Sequence, residues 1–180
     1  VLDGYNVCIF AYGQSGTGKT YTMEGTRQDP GLAPRAMARL FEVISEKGES
    51  GYFEHECFLS MLEIYNENIR DLLADPGEAS GKKRLDIQRH PALGMYVRDL
   101  ATPEVNTAGE AAKLIESGHK HRSVGVTNLN DQSSRSHMLL TVTVLTTNTR
   151  SGEKHVGKLS LCDLAGSERL SKIDTTGAAR

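Results

Sequence analysis

The spacing of apolar residues changes repeatedly along the chain, and each change predicts an element. "NVCIFAYG", residues 6–13, is a short, nearly continuous apolar run ending in glycine, the pattern of a buried strand feeding a loop. A helix is expected to follow from around Lys19. In residues 33–48, Met37, Leu40, Phe41 and Ile44 recur at i, i+3, i+4 and i+7, with Pro34 near the start and Gly48 past the end, so this helix is amphipathic. Phe53, Cys57, Leu59 and Met61 alternate along "FEHECFLSMLEIY" as in a long strand, and "NIRDLL" offers Ile69, Leu72 and Leu73 for a short helical turn. "DPGEASGKK" is a surface loop, after which "RLDIQ" and "GMYVRDL" read as the arms of a hairpin. Thr107 and Glu110 make a T-x-x-E capping box, and Gly118 is expected to close the helix it starts. "HMLLTVTVLTT" and "HVGKLSLCDL", joined by "NTRSGEK", are expected to be antiparallel neighbours. The fold class is therefore α/β with a mixed central sheet flanked by helices, in one domain with no internal repeat.

Composition narrows the function classes. The net charge of −2 and pI near 6.3 argue against a whole-domain grip on nucleic acid, which needs a strongly basic surface. A polyanion partner would have to meet a local patch. No apolar run reaches the roughly 18–20 residues of a membrane span, so no membrane partner is expected. Cys8, Cys57 and Cys162 each sit in a strand-like run and read as reduced core residues, which suits a cytoplasmic setting. Because the chain starts without Met, just ahead of a strand, and stops at "TTGAAR", it reads as a piece of a larger protein.

Two motifs and one polar run carry the chemistry. "GQSGTGKT" matches G-x-x-x-x-G-K-[ST] between a predicted strand and a predicted helix. Gly13, Gly16 and Gly18 allow the backbone to curl so that N–H groups face a polyphosphate, with the helix N-terminus adding its positive end. Gln14, Ser15 and Thr17 complete the loop. Lys19 supplies a point charge for β/γ oxygens, and the Thr20 hydroxyl can take a Mg2+ position. In "LSLCDLAGSE", Asp163 ends an apolar strand where it can hold Mg2+ through water, and Gly166 allows a backbone N–H to approach a γ-phosphate. Asp-x-x-Gly alone is an ordinary turn, but paired with the phosphate loop it points to a nucleoside triphosphatase. "NDQSSRSH", residues 130–137, then supplies Ser133 and Ser134 for the attacking water and the metal, and Arg135 as a cation to pair with Glu168. A loop carrying these groups can be ordered by γ-phosphate and released after hydrolysis.

"GQSGTGKTYTMEG", "NDQSSRSH" and "DLAGSE", in this order, resemble the P-loop, switch I and switch II of a kinesin motor domain, and "LEIYNENIRDLL" resembles the family as well. The resemblance covers residues 1–180 as a partial motor domain, incomplete at both ends, and is strongest to the kinesin-14, C-terminal motor group. It implies a P-loop ATPase with ATP and Mg2+ as ligands. By the resemblance, residues 13–20 bind the phosphates, Thr20 and Ser134 coordinate Mg2+, and Asp163 stands behind a water. Ser133 helps to position or deprotonate the lytic water, Gly166 senses the γ-phosphate, and Arg135 with Glu168 closes the site. Asn130 steadies switch I on the phosphate side, and Tyr21 lies near the base. The implied activity is microtubule-stimulated ATP hydrolysis driving movement on the cytoskeleton, in a longer protein expected to dimerise through a coiled coil. Two positions depart from the pattern: Cys162 replaces the usual Val, and His121 stands where many members have Asn.

Rival readings remain beside this one. A GTPase would need an N-K-x-D motif, which the chain lacks, and "SSRSH" with "LAGSE" sides with kinesin rather than myosin. A non-motile microtubule-binding module with little or no hydrolysis stays open. "HKH", residues 119–121, could be a metal site but reads better as a solvated helix end. Lys82, Lys83 and Arg84 with Arg89, His90 and Arg98 gather positive charge around the predicted hairpin, a region that, by the resemblance to kinesins, faces the acidic surface of tubulin.

Overall fold

Alternation along residues 53–65 and 137–147 builds the centre of the molecule. The computed structural model describes residues 1–75, 85–91, 94–124 and 135–168. Its elements run β1 (Val7–Ala11), α1 (Lys19–Glu24), α2 (Leu32–Gly48), β2 (Phe53–Tyr65), β3 (Asn68–Asp71), β4 (Ile87–His90), β5 (Gly94–Val97), α3 (Ala108–Val124), β6 (Ser136–Asn148) and β7 (Lys154–Asp163). A five-stranded sheet has the order β1-β7-β6-β2-β3, with β1 parallel to β7 and the other pairs antiparallel. The sheet is therefore mixed, as expected. β4 and β5 form the separate predicted hairpin.

One face of this sheet makes the core. Leu59 and Met61 of β2, Leu140, Val142 and Val144 of β6 and Leu161 of β7 are buried in one cluster with Met23 of α1 and Met37 and Leu40 of α2. Leu114 and Ile115 of α3 pack on the same cluster. The strand period of two and the helix period of 3.6 thus deliver their apolar faces to a single layer.

Four local expectations are corrected. "NIRDLL" is not a helical turn: Asn66 and Glu67 both have positive φ, 48° and 61°, the requirement of a two-residue hairpin turn. Residues 68–71 therefore fold back on β2 as β3, and Asp71 Oδ1 then accepts the N–H groups of Leu73 and Ala74. Gly118 does not end α3, which continues through Val124. A Cβ at Gly118 would run into the Met61 sulfur, so glycine is there to let the helix lie close to β2. β1 is not buried on both faces. Ile9 and Ala11 pack on the core, whereas Phe10 is 62% exposed and Cys8 is exposed too, so only Cys57 is a fully buried thiol. "HKH" is not a solvated helix end either: His121 Nδ1 lies 2.8 Å from the Leu72 carbonyl and His119 Nδ1 3.4 Å from Glu24 Oε1.

The capping box holds with one change. The Thr107 hydroxyl accepts the Glu110 N–H at 3.1 Å, but the Glu110 carboxylate reaches one residue further back, to the Asn106 N–H at 2.8 Å.

Candidate functional site

The parallel pairing of β1 and β7 sets the site, because both strands end on the same side and their loops leave together. Ala11 pairs with Asp163 at the last rung. Beyond it, the Leu164 N–H donates to the Ala11 carbonyl and the Ser167 N–H to the Gly13 carbonyl at 3.0 Å. The Asp-x-x-Gly segment is thereby drawn along the glycine-rich loop. Two sequence motifs 150 positions apart become one surface.

Within the loop, Gly16 and Gly18 have φ of 78° and 86°, and a Cβ at either would meet open space. Glycine is needed at both for its backbone angles. Gln14 organises the turn with its carbonyl, which accepts the Thr17 hydroxyl at 2.7 Å and Lys19 Nζ at 2.9 Å. Thr20 sits at the start of α1, and its hydroxyl donates to Asp163 Oδ2 at 2.6 Å. Asp163 is 3% exposed, yet its other oxygen, Oδ1, is buried without a hydrogen-bond partner. Such an orphaned carboxylate oxygen costs free energy unless something meets it. A hydroxyl beside a free carboxylate oxygen is the oxygen donor set that suits Mg2+.

The expected residues are partly brought together. Glu168 does not meet Arg135: no ion pair joins them in this structure, and the Glu168 carboxylate accepts both the N–H of Ser15, at 2.9 Å, and its hydroxyl. That hydroxyl is the main reason the Glu168 carboxyl is held below its usual range. Arg135 lies exposed immediately before β6. Gly166 lies beneath the Glu168 carboxylate, which a Cβ there would strike. Tyr21 is 56% exposed on α1. Asn130, Ser133 and Ser134, like Lys82, Lys83 and Arg84, lie outside the described residues, while Arg89, His90 and Arg98 are exposed on and beside the hairpin. Among the described residues no cluster of His, Cys, Asp and Glu could hold a metal by itself, and no helix is long and apolar enough to cross a membrane.

Residues 1–180 match the family model described as "Kinesin motor domain". The chain belongs to the kinesin family. It is 47% identical over 177 residues to the kinesin-like protein KIN-14R of Arabidopsis thaliana, across 98% of this chain and 16% of that protein. It is 48% identical over 184 residues to the human kinesin-like protein KIF13B, across 99% of this chain and 10% of that protein. A solved structure titled "Structure of a fast kinesin: Implications for ATPase mechanism and interactions with microtubules" matches with TM-score 0.86 and 36% identity, over 99% of this chain and 49% of that one. The expected likeness to kinesin-14 is seen in KIN-14R and in KIN-14I of Arabidopsis thaliana, 45% identical over 181 residues. The chain spans about a sixth of KIN-14R's length and 18% of KIN-14I's.

Behind the kinesin loops lies a polar network that motif reading missed. Glu63 of β2 is 1% exposed and faces two arginines, Arg122 Nε at 3.3 Å and Arg70 Nη1 at 3.9 Å. Arg122 also donates to the Ser136 hydroxyl at 3.1 Å, tying α3 to the first residue of β6, next to Arg135. The one available signal was a carboxylate in phase with the apolar Cys57, Leu59 and Met61 of the same strand. Nearby, Glu24 lines a cavity of about 550 Å³ between α1, α2 and α3, and burial pushes its carboxyl up to about 7.

Proposed function

We propose that the chain is the nucleotide-hydrolysing core of a microtubule motor, with MgATP as substrate. The observation that carries this reading is the Thr20–Asp163 contact at 2.6 Å with Asp163 Oδ1 buried and unpartnered, at the meeting of the glycine-rich loop and the Asp-x-x-Gly segment. Residues 13–20 hold the phosphates, with Lys19 leaving the Gln14 carbonyl for the β/γ oxygens. Thr20 and Ser134 would hold Mg2+, with Asp163 supporting it through water, and the ion would supply charge neutralisation to the phosphates. Tyr21 lies beside the base and Asn130 steadies the phosphate side of the 130–137 loop.

Ser133 positions the attacking water, and the Gly166 N–H registers the γ-phosphate. Glu168 exchanges Ser15 for Arg135 as the two loops close, so its carboxylate acts in the chemical step rather than in capture of ATP. An exposed contact suits this exchange, because its partner can be replaced at little cost.

The hairpin cations Arg89, His90 and Arg98, with 82–84 beside them, favour an acidic protein filament, and the microtubule is the partner that the family relationship indicates. The longer protein works on the cytoskeleton in the cytoplasm, as a coiled-coil dimer, without nucleic acid or membrane as partner. The fast kinesin structure, described for its ATPase mechanism and interactions with microtubules, supports the same reading.

The test is Lys19→Ala in the full-length protein. Loss of one charged hydrogen bond to phosphate should weaken MgATP binding about 10- to 100-fold in a titration. Unchanged affinity would remove the phosphate role from this loop.

A further inference from the structure

The turn between α1 and α2 is closed unusually firmly for a surface segment. Gly25 and Pro30 form an antiparallel bridge, the Gly31 N–H donates to the Glu24 carbonyl at 2.9 Å, and the Thr26 N–H donates to the Asp29 carbonyl at 2.8 Å. The Thr26 hydroxyl accepts the Asp29 N–H at 3.0 Å. Gly25 has φ of 70°, and a Cβ on it or on Gly31 would run into the opposing backbone. The backbone of Asp29 is therefore fixed.

Its carboxylate is fixed as well. Oδ1 accepts Arg35 Nη2 at 2.8 Å, and Arg35 is itself anchored by Nε to the Pro30 carbonyl at 2.6 Å. Oδ2 accepts the Tyr21 hydroxyl at 2.9 Å. Tyr21 directly follows Thr20, so a chain of hydrogen bonds runs from α2 through the turn to the residue beside the phosphate loop.

We propose that Asp29, braced by Arg35, is a positioning residue that holds the Tyr21 ring in the one orientation that receives the nucleotide's base. The proposal rests on the reading of Tyr21 as the base-side ring. An exposed tyrosine samples several rotamers, and a base that stacks on it must first select one of them. Tethering its hydroxyl makes that selection before binding, which favours association without adding a contact to the ligand. The Arg35–Asp29 pair is exposed on both sides, so its contribution to folding is small and its consequence lies in this ordering.

The experiment measures binding of MgATP and of magnesium tripolyphosphate, which has no base, to the full-length protein and four variants. Asp29→Ala and Tyr21→Phe should each weaken MgATP about three- to tenfold, leave tripolyphosphate unchanged, and combine without further loss. Asp29→Asn keeps an acceptor for the hydroxyl and should bind MgATP within about twofold of the parent. Tyr21→Ala should lose at least as much ATP affinity as Tyr21→Phe. If Tyr21→Ala weakens MgATP while Asp29→Ala does not, the tether is idle and the proposal fails with the Tyr21 reading intact. If Tyr21→Ala leaves MgATP unchanged, the base-side reading fails and takes the proposal with it. Equal weakening of MgATP and tripolyphosphate by Asp29→Ala would mean that Asp29 merely maintains the loop, which also overturns it.

Discussion

Glu63 and Glu168 are two carboxylates of one chain held in opposite ways. Glu63 is 1% exposed, sits mid-sheet and faces Arg122 and Arg70; Glu168 is exposed at a loop end and rests on the amide and hydroxyl of Ser15. A buried charge whose partner is removed has nothing to turn to, whereas an exposed one exchanges partners with water at little cost. The first arrangement fixes where α3 meets β6. The second suits a group that must change partners during a reaction cycle.

The largest expected effect comes from breaking the buried side. Arg122→Ala should lower stability by about 3–5 kcal/mol in denaturant titration, since it removes the shorter of the two arginine contacts to the buried Glu63 carboxylate. A loss below about 1 kcal/mol would put Glu63 in the same class as Glu168 and dissolve the contrast.

Glu24 lies between the extremes. It is half-buried beside His119, and desolvation lifts its carboxyl to about 7, with Arg122 opposing and Asp163 adding to the shift. The folded chain therefore holds this proton more tightly than the unfolded chain does. Its contribution is complete below about pH 4.5 and is lost as the pH rises to about 7, by at most about 3 kcal/mol. His119 runs the other way: burial first, and Arg122 next, lower its pKa, so its neutral form contributes above the ordinary histidine range. Glu24→Gln should thus gain stability over the parent at pH 8 and lose that advantage at pH 5. An equal difference at the two values would show that Glu24 is not titrating in this window.

These contrasts also explain what could be read from the sequence. The glycine-rich loop between β1 and α1 was legible because its glycine spacing and Lys19–Thr20 are local, and the place of Asp163 because it ends an apolar strand. The central strands were legible because alternation runs through Cys57, Leu59 and Met61 of β2 and along β6 from Ser136 to Thr146. Gly118 misled because a glycine late in a helical pattern suits either a stop or a close approach, and only Met61, across the sheet, decides between them. Ile69, Leu72 and Leu73 fit a helical turn as well as a strand end, and the arbiter was the positive φ of Asn66 and Glu67. The Ser15–Glu168 and Arg122–Glu63 contacts were illegible because each joins segments whose approach is set by the packing of other elements, and Tyr21–Asp29 because it depends on how the backbone closes the turn between α1 and α2. Residues 130–134 remain sequence readings, since they lie outside the described part.

In the proposed cycle Glu168 acts through its exchangeable contact, leaving Ser15 to meet Arg135 when the site closes. Microtubule-stimulated ATP turnover, measured with MgATP affinity for Glu168→Ala, Arg135→Ala and the double variant, tests it most directly. Each single variant should fold with stability within about 1 kcal/mol of the parent, bind MgATP within a few-fold, and lose turnover by about 100- to 1000-fold. The double variant should be little worse than either single, because two residues acting as one unit are lost together. Near-normal turnover in Glu168→Ala, or losses that multiply in the double variant, would show that Glu168 and Arg135 do not close the site together.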